Sequence, residues 1–325
     1  MNRNDYVVLY ADKKPEDNII ILNMFENTDA INIVWTDFDY NNDVKIIDKH
    51  LKDSNIKQII FSGFEIGWER LVLYIREKYV ETKIKVICNT NDSLLYYEYE
   101  RNNFFKLLEL SKDSLIDNIA FFRRGQYETY KSLGYRCSWI MENYCLNQDK
   151  KRRAKEKNDI IDIGIYPLNY TWDKNIFNQL CIPKFIDSSN LNYNNLDPRM
   201  EDFLNTMKIK NKIDKIEQIK EDNIINAVVK NDVVVSTSFT EYVHPVFFIC
   251  MELGIPCLIG NNSELFDGSE LEQYIVSRAE DNAIINSKMI KNILMNKKKI
   301  SSLYSNWKKD YNVKSNNSIT DFLNK

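Results

Sequence analysis

Short apolar runs alternate with amphipathic stretches along most of this chain. In the amino-terminal half they predict strands at residues 6–10, 32–35, 58–62, 85–88, 118–122 and 138–141, and helices at residues 44–52, 66–79, 93–110 and 126–133. Gly134 follows the last of these helices and is expected to end it. Strands that alternate with helices are typical of a parallel sheet covered by helices. The pattern therefore predicts a Rossmann-like half.

The apolar pattern stops over residues 146–158. Six basic residues crowd together there, namely Lys150, Lys151, Arg152, Arg153, Lys155 and Lys157. We interpret the segment as a solvated linker, and a basic surface for anionic lipid or an acidic substrate is the alternative. The pattern resumes at residues 160–166. We therefore predict an amino-terminal domain of residues 1–154 and a carboxy-terminal domain of residues 155–325.

The second half repeats the alternation of strands and helices. The pattern predicts strands at residues 160–166, 215–218, 233–235 and 257–259, and helices at residues 175–179, 198–207, 223–230 and 245–253. Pro245 stands at the start of the last of these helices and Gly254 just past its end, which is the expected punctuation. The turn before this helix leaves the carboxyl end of a buried strand, where open α/β sheets bind ligands. Free amides near Val243 and Val246 favour an anionic group at that place.

Composition narrows the classes of function. The chain has 325 residues, 44% of them apolar, and its charges nearly cancel to −3, which gives no reason to expect nucleic acid as a partner. Neither a signal peptide nor an apolar stretch of membrane length stands out, so we expect a cytoplasmic protein. Six dispersed cysteines and two histidines form no metal-binding motif, although carboxylate-bound magnesium stays open. No GxGxxG follows a strand, which argues against a dehydrogenase.

Residues 236–266, STSFTEYVHPVFFICMELGIPCLIGNNSELF, resemble the donor-site signature of the glycosyltransferase family 4-like proteins, which are retaining enzymes. The resemblance implies the GT-B fold, an α/β architecture of two Rossmann-like domains whose parallel sheets face each other across a cleft. It implies a hexosyltransferase that moves a sugar from a UDP- or GDP-sugar to a hydroxyl on a glycan or glycosylated protein. It also implies that the reaction needs neither a metal nor another cofactor.

The resemblance also assigns site residues. Glu241 matches the glutamate that binds the donor sugar, and Lys174 matches the lysine that neutralises the diphosphate, so these two are the predicted catalytic residues. Gly254 and Pro256 match the Gly-x-Pro that closes the helix. The other predicted donor contacts are Ser238, Val243, His244, Glu252, Asn261, Asn262 and Ser263. Amides and a lysine aimed at the departing diphosphate would stabilise its developing charge.

This chain departs from the family pattern at two places. Ile249 stands where the family carries a second glutamate for the ribose, and Glu252 lies three residues further along, on a helix face turned by roughly 300°. The glycine-rich loop after the first strand is missing, and Gly63 and Glu65 are the predicted acceptor-side residues instead. These departures keep an alternative open, a catalytically inactive glycosyltransferase-like subunit that binds a sugar or a partner protein.

The carboxyl end predicts one more element. Residues 284–307 have helical spacing with lysines on the polar side, and Tyr304, Trp307 and Tyr311 follow each other at helical intervals. In GT-B proteins the last helix often crosses back to the amino-terminal domain, and the resemblance implies the same arrangement here. A basic helix against a membrane surface is the alternative. Peripheral membrane contact and homo-oligomerisation stay open, as do the donor sugar, the base and the acceptor.

Overall fold

The computed structural model describes residues 5–11, 24–25, 30–33, 40–52, 56–142, 159–167, 169–209, 212–217, 221–239, 245–261 and 264–325. The chain divides into two compact units. The first consists of Met1–Cys145 with Asn312–Lys325, and the second of Leu146–Tyr311. The predicted domain boundary between residues 154 and 155 lies outside the described residues.

The first unit contains a sheet of six parallel strands in the order β2-β1-β3-β4-β5-β6. The strands are β1 (Tyr6–Ala11), β2 (Ala30–Ile33), β3 (Gln58–Ser62), β4 (Lys83–Cys88), β5 (Asn118–Phe121) and β6 (Cys137–Trp139). The helices between them are α1 (Tyr40–Lys52), α2 (Trp68–Lys78), α3 (Glu98–Lys112) and α4 (Arg124–Ser132). All five residues of β3 are buried, as expected for a central strand that is covered on both faces. The predicted Rossmann-like half is confirmed.

One predicted helix of the first unit is two elements. The segment 93–110 was expected to be continuous, but a 3₁₀ turn at Asp92–Tyr96 precedes α3. Asn91 caps this turn, because its side-chain oxygen accepts from the backbone amides of Ser93 and Leu94. Tyr97 then takes an extended conformation, with φ −80° and ψ 126°, which interrupts the helical path.

The second unit contains another sheet of six parallel strands, in the order β12-β11-β10-β7-β8-β9. The strands are β7 (Ile161–Ile165), β8 (Ser189–Asn195), β9 (Lys212–Glu217), β10 (Val233–Ser236), β11 (Cys257–Gly260) and β12 (Val276–Ser277). The helices are α5 (Ile176–Cys181), α6 (Pro198–Thr206), α7 (Glu221–Val228), α8 (Pro245–Glu252), α9 (Glu272–Ile275), α10 (Ala283–Met295) and α11 (Lys297–Asn324). From β7 the chain builds outward to β9 on one side and then from β10 to β12 on the other. The order of strands therefore reverses between β7 and β10.

The predicted helix at residues 284–307 is also two helices. α10 ends before Asn296, and α11 continues to Asn324. α11 belongs to the second unit as far as Tyr311 and to the first unit from Asn312 onward. Among the described residues, no helix combines the length and the apolar character needed to cross a membrane.

Side chains of the first sheet donate hydrogen bonds to the backbone carbonyl groups in the last turn of α11. Lys85, in β4, is fully buried, and its Nζ donates to the carbonyl oxygens of Phe322 at 2.7 Å and Leu323 at 2.9 Å. Gln58 Nε2 donates to the same Leu323 oxygen at 2.9 Å. The final carbonyl groups of a helix have no partners within the helix, so these donors complete its hydrogen bonding.

Candidate functional site

The place where the second sheet reverses its strand order carries the candidate site. β7 and β10 are paired in parallel there, with Ile165 opposite Val235. The loops that follow two such strands diverge to opposite sides of the sheet, which leaves a crevice outside their carboxyl ends. The described parts of these loops are residues 166–167, 169–175 and 237–239.

The two loops are tied to each other by hydrogen bonds. The amide of Phe239 donates to the carbonyl oxygen of Asp173 at 2.8 Å. The side-chain nitrogen of Asn175 donates to the carbonyl oxygens of Thr237 and Glu280, each at 2.8 Å. Asn175 is buried and has φ 54°, a left-handed conformation that asparagine tolerates better than most residues. One amide therefore joins the segments that follow β7, β10 and β12.

The carboxyl end of β11 approaches this junction closely. A Cβ atom placed on Gly260 would lie 2.7 Å from the carbonyl oxygen of Ser238 and 3.0 Å from Cγ of Glu280. The next amide, that of Asn261, donates to Oε1 of Glu280 at 2.7 Å. We call residues 172–175, 237–239, 260–261 and 280 the switch-point rim. The predicted donor contacts Ser238 and Asn261 both lie on it, together with Lys174.

Lys174 contributes the positive charge of this rim. Its Nζ lies 3.5 Å from Oδ2 of Asp173, and the two side chains are 12% and 4% exposed. A pair of this kind holds the lysine in place at the end of its turn. Lys174 is the last residue of a 3₁₀ turn, Trp172–Lys174, which leads directly into Asn175. The described rim therefore carries one lysine beside two carboxylates, those of Asp173 and Glu280.

Several predicted donor residues cannot be placed on this rim. Glu241, Val243, His244, Asn262 and Ser263 lie outside the described residues. Glu252 is the last residue of α8, about 10 Å along the helix from Pro245. Its Oε1 accepts from Tyr304 Oη at 2.7 Å and pairs with Lys308 Nζ of α11. These contacts support a packing role for Glu252, and its contact with a donor stays a prediction.

Helix α8 is buried along nearly its whole length. The six residues from Val246 to Met251 are all buried, and Ile249 is only 6% exposed. The ring of Phe248 packs 6.3 Å from the ring of Tyr311. A glutamate at position 249 would therefore enter an apolar core, which explains why isoleucine is suitable there in this chain.

The predicted acceptor-side residues lie at the carboxyl edge of the first sheet. Gly63 follows β3 with φ 81°, and its amide donates to the carbonyl oxygen of Ile87 at 2.8 Å. Glu65 accepts a short hydrogen bond from the hydroxyl of Tyr99. Thr90, which follows β4, donates to Glu100 at 2.8 Å at the same edge. Tyr99 and Glu100 were not predicted, because they stand at the start of α3 and join the edge only through tertiary packing.

The sequence also did not identify several other residues of the switch-point rim. Among them are Trp172, Asn175, Phe239 and Glu280. The rings of Trp172 and Phe239 are close neighbours, with centroids 6.5 Å apart. A signal was available for Asn175, because an asparagine just before a helix suits a left-handed residue. Nothing in the local sequence around Glu280 indicates that it reaches the ends of β10 and β11.

Comparison with known proteins identifies the fold. No family model and no curated protein matches this chain. HepE of Anabaena, solved with UDP and glucose, aligns at TM-score 0.69 and 10% identity over 98% of this chain and 99% of its own. The sucrose-phosphate synthase of Thermosynechococcus elongatus aligns at TM-score 0.70 and 12% identity over 98% and 97% of the two chains.

A third structure agrees with the first two. The lipopolysaccharide outer core galactosyltransferase WaaB aligns at TM-score 0.63 and 11% identity over 97% of this chain and 99% of its own. At such low identity the similarity shows the fold alone. These structures are GT-B glycosyltransferases, and they confirm the fold that the signature at residues 236–266 implied. This chain therefore has the GT-B fold.

Proposed function

We propose that this protein is a glycosyltransferase that moves a sugar from a nucleoside diphosphate sugar to an acceptor hydroxyl. The observation that carries this proposal is the switch-point rim, where Lys174 lies with the segments at the carboxyl ends of four parallel strands, β7, β10, β11 and β12. Open α/β sheets bind nucleotides at this position, and the rim carries a lysine and a set of hydrogen-bonded polar groups. HepE, which shares the fold, was solved with UDP-glucose, and this supports the same class of donor here.

In the proposed reaction the bond between the sugar and the diphosphate breaks. The departing diphosphate gains negative charge, which Lys174 Nζ and the first amides of α8, near Val246, would stabilise electrostatically. Glu241 would accept hydrogen bonds from hydroxyls of the sugar. Attack by the acceptor oxygen on the face from which the diphosphate leaves would form the new glycosidic bond and retain the anomeric configuration, and the hydroxyl proton would pass to an oxygen of the departing diphosphate. The resemblance to family 4-like enzymes supports a retaining, metal-independent hexosyltransferase.

The acceptor side is proposed to involve the edge of the first sheet around Gly63 and Glu65. Carboxylate and phenol oxygens at this edge, from Glu65 and Tyr99, are groups that bind sugar hydroxyls. A glycan or a glycosylated protein is the acceptor that this chemistry and the family resemblance favour.

One observation favours a second candidate function. Ile249 is buried where the family carries its ribose-binding glutamate. A glycosyltransferase-like subunit that has lost catalysis, and binds a sugar or a partner protein, would tolerate this replacement. The two candidates differ in whether the protein cleaves a sugar nucleotide.

Calorimetric titration with a panel of sugar nucleotides separates them. The panel contains UDP-glucose, UDP-N-acetylglucosamine, GDP-mannose and ADP-glucose, each titrated in EDTA and followed by a hydrolysis assay. An active transferase binds one member selectively and hydrolyses it slowly. Binding without hydrolysis, even with acceptor glycans added, would support the noncatalytic subunit. If no member of the panel binds, the proposed donor site is wrong.

A further inference from the structure

The switch-point rim exposes two large aromatic rings. Trp172 is 54% exposed and Phe239 is 39% exposed, whereas most large apolar side chains of the second unit are buried. Burying apolar side chains is favourable, so an adjacent exposed pair at a crevice marks a surface that can gain from an apolar contact. Trp172 follows β7 and Phe239 follows β10, on the two sides of the strand reversal.

The two rings are held in place by the backbone. Their centroids are 6.5 Å apart, and their planes are inclined by 31°. The amide of Phe239 is fixed by the carbonyl oxygen of Asp173, the residue next to Trp172. Asn175 fixes the same two loops through the carbonyl oxygen of Thr237. The rings therefore form one shallow aromatic face, and hydrogen bonds between the two segments that carry them fix its position.

A charged residue lies two positions after each of the two aromatic residues in the sequence. Lys174 is two residues after Trp172, and its ammonium group, 3.5 Å from Oδ2 of Asp173, is the proposed partner of the diphosphate. Glu241, two residues after Phe239, is the proposed partner of the sugar hydroxyls. An aromatic face close to a lysine matches the chemistry of a hexose joined to a diphosphate. The C–H bonds on one face of a pyranose ring carry partial positive charge and pack against the negative face of an aromatic ring.

We infer that Trp172 and Phe239 form a stacking surface for the hexose ring of the sugar nucleotide, and that they position the sugar for transfer. This inference rests on the proposed function, because it assumes that a sugar nucleotide binds at the rim. It names the hexose as the part of the substrate that the rim recognises through apolar contact. A nucleobase is the rival occupant, and the two are distinguished by whether the affinity loss in an altered protein depends on the sugar.

The test compares each sugar nucleotide with the same nucleoside diphosphate without its sugar. Calorimetry is performed with UDP-glucose against UDP, and with the corresponding pairs for UDP-N-acetylglucosamine, GDP-mannose and ADP-glucose. The variants are Trp172→Ala and Phe239→Ala, with Trp172→Phe and Phe239→Leu as versions that keep apolar bulk. Phe185→Ala is the matched control, because Phe185 is also 39% exposed in the same unit but lies away from the rim. Circular dichroism checks that each variant is folded.

We expect each alanine variant to bind the sugar nucleotide about 5- to 10-fold more weakly, with the affinity for the nucleoside diphosphate changed by less than about 2-fold. Trp172→Phe should recover most of the affinity, and Phe185→Ala should match the wild type. Equal losses for both probes would show that the rings contact the base or phosphates, and would overturn the inference. Unchanged affinity for both probes would overturn it as well while leaving the proposed function intact. If the wild type binds no probe, the proposed function and this inference fail together.

Discussion

The side-chain amide of Asn175 donates to the carbonyl oxygen of Thr237 over 2.8 Å, across 62 residues of sequence. The same nitrogen reaches the carbonyl oxygen of Glu280 at 2.8 Å, 105 residues away. One asparagine therefore fixes these loops relative to one another, together with the hydrogen bond from the amide of Phe239 to the carbonyl oxygen of Asp173. Changes at this residue should affect both the stability of the second unit and the shape of the switch-point rim.

Replacing Asn175 tests this role. Asn175→Ala leaves two carbonyl oxygens without their donor, at about 1–3 kcal/mol each, and places alanine in a left-handed conformation that costs roughly 1–2 kcal/mol. We expect the free energy of unfolding of this unit to fall by about 3 kcal/mol or more, measured by urea denaturation. Asn175→Gly keeps the backbone unstrained and loses only the amide, so it should be intermediate. A denaturation midpoint equal to that of the wild type would contradict this account.

Lys174 is the proposed electrostatic partner of the diphosphate. Removing one preorganised donor to a developing negative charge typically costs on the order of 100- to 1000-fold in rate. We expect Lys174→Ala to lower kcat/KM for donor hydrolysis by about this factor, with the far-ultraviolet spectrum unchanged. Lys174→Arg keeps the charge and should retain part of the activity. Lys184→Ala, a change at an exposed lysine of the same unit, should have no effect, and full activity in Lys174→Ala would remove this residue from the site.

Ile249→Glu probes the departure from the family pattern. Because Ile249 is 6% exposed, an ionised carboxylate at this position would be buried among apolar side chains, which is strongly destabilising. We expect the melting temperature to fall markedly. Ile249→Gln should be less destabilising, because it carries no charge. A folded Ile249→Glu protein with higher nucleotide affinity would instead show that this position can face the donor.

The buried amine of Lys85 predicts a pH dependence of stability. Burial lowers the pKa of Lys85 to about 8 in the folded protein, from its usual 10.5. Between these values the unfolded chain binds a proton that the folded chain does not, so the stability that Lys85 contributes rises as the pH rises from about 8 to about 10. The shift of about 2.5 pKa units corresponds to roughly 3 kcal/mol.

Lys85→Met is the variant that isolates this effect. The free energy of unfolding of the wild type minus that of Lys85→Met should increase over the same pH interval, measured by urea denaturation at several pH values. Groups that do not interact with Lys85 contribute equally to both proteins, so they cancel in the difference. A difference that stays constant with pH would show that Lys85 keeps an ordinary pKa in the folded state.

The sequence predicted the sheets well where strands are apolar. β3, β10 and β11 were found because their residues form short runs of apolar side chains. β8 was not predicted, because Asn192 and Asn194 give it the composition of a loop. The structure shows why these two asparagines can be buried in a strand. Asn192 donates to Oδ1 of Asn231 at 2.8 Å and Asn194 donates to the carbonyl oxygen of Pro167 at 2.9 Å, so neither buried amide loses its hydrogen bonds.

The site was predicted only in outline. The buried strand before Ser236 and the helix from Pro245 located the correct edge of the second sheet, and Lys174 was placed near it by resemblance. Glu280 could not be found, because its position depends on how β12 pairs with β11 far along the chain. The break at Asn296 was also missed, since the apolar spacing continues through it from α10 into α11.

Gly260 limits which substitutions the switch-point rim can tolerate. Its backbone lies so close to the Ser238 carbonyl that even a methyl group would sit 2.7 Å from that oxygen. Gly134 and Gly268 have open space around them, and their left-handed backbones can accept asparagine. In a saturation library, position 260 should therefore be intolerant of every replacement, whereas the other two should admit some. The close approach of the ends of β10 and β11 can therefore be kept only if position 260 carries no side chain.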